Sequence, residues 1–156
     1  MDKPVPHFWV AVGGVALTFL GLIGPWAKVV GLLNVSVSGL DTDDGKLVGL
    51  FALVALGFLA LYAFRKRTLL PLAIAGIFGL LVTAVAGYDL IDIGSSVDEV
   101  DSEFARASVG WGLYATVLGG LAVSAGSLLT MIKSRKSQVN DAGPPVAEIG
   151  DGPPAA

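Results

Sequence analysis

Side chains able to move protons, hold metals or attack a substrate are few in this chain of 156 residues, and they are unevenly placed. Cysteine is absent, which removes disulfides, Cys–zinc sites and lipid attachment through a lipobox. The one histidine, His7, stands near the start of the chain, and a single imidazole is not a metal site. Carboxylates form the only dense groups, at Asp41, Asp43 and Asp44, and again at Asp89, Asp92, Asp98, Glu99, Asp101 and Glu103. A calcium loop of the EF-hand type needs Gly at its sixth position and a bidentate Glu at its twelfth. Counted from Asp41, those positions are Lys46 and Ala52, so Asp41-Thr42-Asp43-Asp44-Gly45 reads as solvated turn chemistry. The second acidic group lacks a nucleophile, a partner base and a water-excluding pocket, so it reads as a solvated face. No phosphate-cradling glycine loop, no Gly-x-Ser-x-Gly elbow and no nucleic-acid patch occurs. The expectation is a protein that is not an enzyme, with no cofactor, no metal and no nucleic-acid partner.

The elements that carry these groups follow from composition. Hydrophobic residues make up 54% of the chain and charged ones 15%, against about 25% charged in a soluble domain. Four windows, Phe8–Ala27, Leu47–Phe64, Leu69–Tyr88 and Val109–Ile132, contain no Asp, Glu, Lys, Arg or His. A helix rises about 1.5 Å per residue, so roughly 20 apolar residues cross a hydrocarbon core about 30 Å thick. The expected fold class is therefore an all-α integral membrane protein: a four-transmembrane-helix bundle with short extracytoplasmic loops. Residues 1–7 form a leader, 8–133 the helical domain, and 134–156 a disordered tail rich in Pro, Gly and Ala. The first window reads as a retained span. Its leader is weakly charged, its apolar run exceeds 7–15 residues, and no A-x-A site follows Gly24.

Charge sets the expected orientation. Arg65, Lys66 and Arg67 fill the connection between spans two and three, and Lys133, Arg135 and Lys136 follow span four. The other two loops hold Lys28, Lys46 and Arg106 against the nine acids named above. The positive-inside rule places both termini in the cytoplasm of a bacterial inner membrane and the acidic loops outside. Trp9 and Tyr62 are expected as aromatic anchors at the inner interface, and Trp26, Tyr88 and Trp111 at the outer one.

Helices in lipid associate through close backbone approach, and small residues allow it. Span three carries Ala75, Gly79, Thr83 and Gly87 at four-residue spacing; span four carries Gly112, Thr116, Gly120 and Ser124, with Ala115 and Gly119 alongside. These stripes are expected to make spans three and four the tightest neighbours. In loop one, Asn34-Val35-Ser36-Val37-Ser38 alternates polar and apolar residues, which predicts a small β-hairpin over the outer face. In loop two, Ser96-Val97-Asp98-Glu99 has capping-box spacing and predicts the start of a short amphipathic helix with Val97, Val100 and Phe104 on one face.

Pro25-Trp26-Ala27-Lys28-Val29, the Val-Ser-Val-Ser-Gly run, and Val109-Gly110-Trp111-Gly112-Leu113-Tyr114 followed by Gly119-Gly120 resemble motifs of small four-span membrane proteins from actinobacteria and their phages. The resemblance covers roughly residues 8 to 133, implies the four-span architecture, and carries over no catalytic residue. Claudin-like proteins share the topology and a strand-bearing first loop, but the paired cysteines of that family are absent. Proton relays and ion-coupled transporters need ionisable residues within spans, and these windows have none. The expected function is a non-enzymatic accessory or scaffold subunit, associating through small-residue helix faces and acidic outer loops. Its expected partners are membrane lipid and either a membrane protein or further copies of itself. A holin-like or exclusion-type permeabilising protein is the first alternative, and a small-molecule exporter the second.

Overall fold

The computed structural model describes residues 6–31, 34–64, 68–100 and 105–141, with side chains described except at 31, 96–100, 105–107 and 137–141. Four helices carry the fold: α1 (Pro6–Ile23), α2 (Asp43–Phe64), α3 (Leu69–Val100) and α4 (Trp111–Asp141). All four are long and apolar enough to cross a membrane. Strands β1 (Pro25–Gly31), β2 (Val35–Ser38) and β3 (Ala105–Val109) form one antiparallel sheet in the order β2-β1-β3. The expected hairpin is thus two-thirds of a sheet whose third strand comes from the second loop.

Proline ends α1, and the way it does so builds the cap. Pro25 has no N–H to donate to the carbonyl of Gly21, four residues back. The Trp26 indole fills the vacancy, its Nε1 donating to the Gly21 carbonyl at 3.1 Å. That bond folds the ring into the bundle, where Trp26 is 1% exposed. Trp26 is therefore a core residue, not an interface anchor. Its carbonyl accepts from the Gly110 N–H at 2.7 Å, and the β1–β3 pairing runs on from Ala27 opposite Val109.

Helix α2 opens on a hydroxyl cap. Thr42 Oγ1 accepts from the Gly45 N–H at 3.0 Å and donates to the Gly39 carbonyl at 2.8 Å, meeting a donor the helix itself leaves open. Asp43 and Asp44 follow in the first turn, where the helix dipole favours negative charge.

Two expected boundaries move outward. Helix α3 runs to Val100, so Ser96-Val97-Asp98-Glu99 lies inside a helix and does not start one. No proline interrupts the stretch, and each N–H keeps its carbonyl four residues back, so no cap is needed. Helix α4 runs to Asp141, which makes residues 134–141 helix, not tail. Pro6 and His7, expected in the leader, are the first residues of α1. Residues 1–5 of the leader and 142–156 of the tail lie outside the described residues.

The helices form a ring in which α4 packs on α1 and α3, and α2 on α3 and, over a smaller area, on α1. The largest interface is α1 with α4, not the expected α3 with α4. One apolar layer, including Trp26, Leu22, Val48, Val82 and Leu113, lies next to the sheet. A second, including Phe8, Leu59, Tyr62, Leu72 and Val123, lies at the opposite, open end. Tyr62, expected at an interface, is 3% exposed. Its Oη and Ser134 Oγ lie 3.2 Å apart, which ties α2 to the far end of α4.

Candidate functional site

The residues singled out for helix packing do come together, in a different arrangement from the one their spacing suggested. On α4, Gly112, Thr116, Gly119, Val123 and Gly126 all meet α1. Their spacing alternates four and three, the repeat of a coiled-coil seam. Backbone lies against backbone along it. A Cβ on Gly119 would stand 2.6 Å from Thr18 N, one on Gly14 2.6 Å from Val123 N, and one on Gly126 2.5 Å from Ala11 N. Gly119 and Gly126 carry this seam, and a search at strict four-residue spacing passes over Gly126.

The four-residue stripe divides between two partners. Each step of four residues turns a helix about 40° past a full turn, so three steps drift about 120°. Gly112 and Thr116 accordingly face Gly21 on α1, while Gly120 and Ser124 face Gly79 and Thr83 on α3. On α3, Ala75 is fully buried and a Cβ on Gly79 would lie 2.7 Å from Ser124 Oγ. Gly87, the last member of that stripe, meets nothing within 4 Å and takes no part in the packing.

Hydroxyls in these seams share one solution. Thr18, Thr83, Thr116, Ser124 and Thr130 each donate to the carbonyl of a glycine four residues earlier, at 2.7–3.0 Å. A glycine leaves its carbonyl open to such a bond, and the hydroxyl is satisfied without water. The single Ser124 proton is shared between that bond and the Gly76 carbonyl at 3.1 Å, which joins α4 to α3. Ser127 is the exception: it is 2% exposed and its Oγ has no partner. It lines an outward-opening groove of about 440 Å³ between α3 and α4, walled by Leu72, Ile77, Leu80, Leu121, Leu128 and Met131.

At the sheet end the surface changes character. Val29, Val30, Val35, Val37 and Leu40 are all exposed there, on the strands and the turn that follows them. The acids gather at the same end. Asp41 Oδ2 accepts from the Ser38 hydroxyl at 2.8 Å and from the Ser38 N–H at 3.1 Å. These two bonds hold its carboxyl below the usual range. Lys46 and Asp43 pair at 2.8 Å, both exposed. Asp89 is buried, 8% exposed, with Oδ2 unpartnered.

Among the expected anchors, Trp9, Tyr88 and Trp111 are exposed at 61%, 70% and 56%. Lys133, Arg135 and Lys136 are exposed on α4 near the open end, inside the helix and not after it. Arg65, Lys66 and Arg67 lie outside the described residues, as do Asp101, Glu103 and Phe104 and the side chains of Val97, Asp98, Glu99 and Val100. Among the described residues, no group of three or more His, Cys, Asp or Glu side chains is placed to hold a metal ion. No protein-family model and no curated protein matches the chain.

Proposed function

We propose that this protein is a non-enzymatic accessory or scaffold subunit of a bacterial inner membrane. Its four helices cross the bilayer, both termini lie in the cytoplasm, and the sheet stands on the outer face. The charge distribution supports that orientation: the acids Asp41, Asp43, Asp44, Asp89 and Asp92 gather at the sheet end, and Lys133, Arg135 and Lys136 at the other.

One observation carries the partner reading. The outward leucines of the helices need no explanation in lipid, but the exposed valines of the cap stand beyond the apolar helical stretches. An apolar cluster left in water marks an interaction surface. The small-residue faces first expected to hold a partner are covered within the chain, at Gly79, Gly112, Gly119 and Gly120. At the cap, Val29, Val35 and Val37 share one face of the sheet by register, with Val30 on the other face and Leu40 in the turn that follows, and all are exposed.

The test places a photo-reactive amino acid at Val30 or Val35 in native membranes, with Leu56 on the exposed face of α2 as control. A discrete protein adduct at the cap positions, absent at Leu56 and lost when Val37→Asp is added to the Val35 probe, is the expected result. Identical lipid or self adducts at all three positions overturn the reading. Abrupt membrane depolarisation on induced expression would favour the permeabilising alternative instead.

A further inference from the structure

The groove between α3 and α4 has no part in the cap, and three features of it point to one occupant. The first is its length. It runs from Leu121 to Met131 on α4 and from Leu80 back to Leu72 on α3. Ten residues of helix rise about 15 Å, half of a hydrocarbon core about 30 Å thick. Leu80 and Leu121 stand near the middle of the two apolar spans, so the groove covers the half nearer the open end. A partner helix would need the full thickness, whereas one acyl chain crosses only one leaflet. The volume of about 440 Å³ suits a ligand cleft.

The second feature is charge at the mouth. Leu121, Ser124, Leu128 and Met131 line the groove at steps of three and four, and the next residue in that series is Arg135. Arg135 is exposed and has no acid partner among the described residues. Helices α3 and α4 run antiparallel with Gly76 beside Ser127. Leu69, seven residues before Gly76, therefore stands level with Ser134, seven after Ser127. The N-terminus of α3 thus lies next to Arg135, and its open N–H groups favour an anion.

The third feature is the Ser127 hydroxyl, buried and unpartnered at the edge of the groove. A bare hydrocarbon chain would leave it so, at a cost in free energy. The occupant must bring an acceptor to that depth. Helical side chains lean toward the N-terminus, so Arg135 covers the turn at Met131, about 6 Å from Ser127 along the axis. About six bonds of roughly 1.5 Å link the phosphorus of a phospholipid to its nearer ester carbonyl oxygen, enough to span that distance.

We propose that this groove holds one anionic phospholipid. Its phosphate lies against Arg135 and the start of α3, an ester carbonyl accepts from the Ser127 hydroxyl, and one acyl chain runs between the leucine walls to the midplane. The site rests on the helices standing in a bilayer and is independent of any partner at the cap.

Native mass spectrometry of the full chain, released from a non-ionic micelle with added phosphatidylglycerol or phosphatidylcholine, counts and ranks the bound lipids. One phosphatidylglycerol per chain, held about tenfold more tightly than phosphatidylcholine, is the expected result. Arg135→Gln should erase that preference, and Lys133→Gln, about 200° round the helix, should keep it. Ser127→Ala should weaken ester-linked phosphatidylglycerol about threefold and leave the ether-linked analogue, which has no carbonyl, unchanged. Ala125→Trp fills the groove from an exposed position and should abolish retention of both headgroups. Leu118→Trp, exposed on α4 outside the groove, should not.

Four outcomes would each overturn the proposal: no retained lipid, equal retention of the two headgroups, displacement by millimolar inorganic phosphate, or full retention in Ala125→Trp. So would chain pairs that Ala125→Trp dissolves, which would give the groove to a second copy. Should Ala125→Trp fail to fold, Arg135→Gln and the comparison of ester with ether decide the matter. Loss of this site leaves the photo-adduct at the cap in place, and a cap without a partner leaves the lipid bound, so the two readings fail separately.

Discussion

Replacing Gly119 by alanine tests the central packing claim with a single methyl group. The new Cβ would stand 2.6 Å from Thr18 N and 2.8 Å from the Gly14 carbonyl oxygen, whereas ordinary contact begins near 3.4 Å. The Thr18 hydroxyl is nearer still and could turn away, but these two obstacles are backbone and cannot swing aside. Helices α1 and α4 must separate locally by about 0.8 Å. A gap of roughly 0.5–1 Å forfeits about a quarter to a half of each dispersion contact it opens. Overpacking of a close-packed interior costs about 1–3 kcal/mol. Alanine returns roughly 0.5–1 kcal/mol through its better helix propensity. The net expectation is a loss of roughly 0–2.5 kcal/mol, centred near 1 kcal/mol. Gly87→Ala is the matched control: a Cβ there meets nothing within 4 Å, so only the propensity gain remains. Reversible unfolding in mixed micelles, followed by circular dichroism, should separate the two variants with opposite signs. If Gly119→Ala is as stable as Gly87→Ala, the α1–α4 seam is not the close backbone contact described above.

Three further expectations follow from the same geometry. Ser124→Ala removes the one described side-chain hydrogen bond between α3 and α4, and should cost about 0.6–1.7 kcal/mol in the same unfolding assay. Because the chain has no cysteine, Ala27→Cys with Val109→Cys should give a disulfide under mild oxidation, since the two positions are register partners of β1 and β3. The pair Val29→Cys with Val109→Cys, two positions out of register, should not. Asp41, whose carboxyl sits below its ordinary value because the Ser38 hydroxyl and N–H bond it, contributes stability that is present above the ordinary carboxylate pKa. That contribution is lost as pH falls through the lowered value. An NMR titration of the Asp41 carboxyl should show a midpoint below that of unfolded chain, and Ser38→Ala should raise it.

Charge-free windows made the four helices readable, because the absence of Asp, Glu, Lys, Arg and His over about 20 residues reports directly on membrane compatibility. Charge was a poor guide to where a helix stops. Backbone hydrogen bonding continues past Tyr88 into Asp89 and past Ile132 into Lys133, and only geometry reveals it. Strand β3 left a trace in the small alternation Ala105-Arg106-Ala107-Ser108-Val109, but its partner lies far away in sequence. The stripe on α4 was visible as composition; its division between α1 and α3 was not, since the drift of a four-residue repeat shows only when neighbours are in place. Trp26 and Tyr62 misled because a boundary position fits both a lipid anchor and a core ring. Hydrogen bonds to Gly21 and Ser134 separate the two cases.

The cap also sets an order of assembly. Its central strand, β1, is synthesised directly after the first helix, while the β3 residues that cover one edge come 82 positions later, as from Ala27 to Val109. Closing so long a loop is slow and entropically costly. Until it closes, β1 presents an open edge of N–H and C=O groups flanked by valines, the kind of surface that invites pairing with another chain. The sheet can be completed only after the third helix has been laid down and the chain has returned to the same face. A nascent chain halted before Ala105 would carry its unfinished cap as a signal of incompleteness, open to chaperones and proteases.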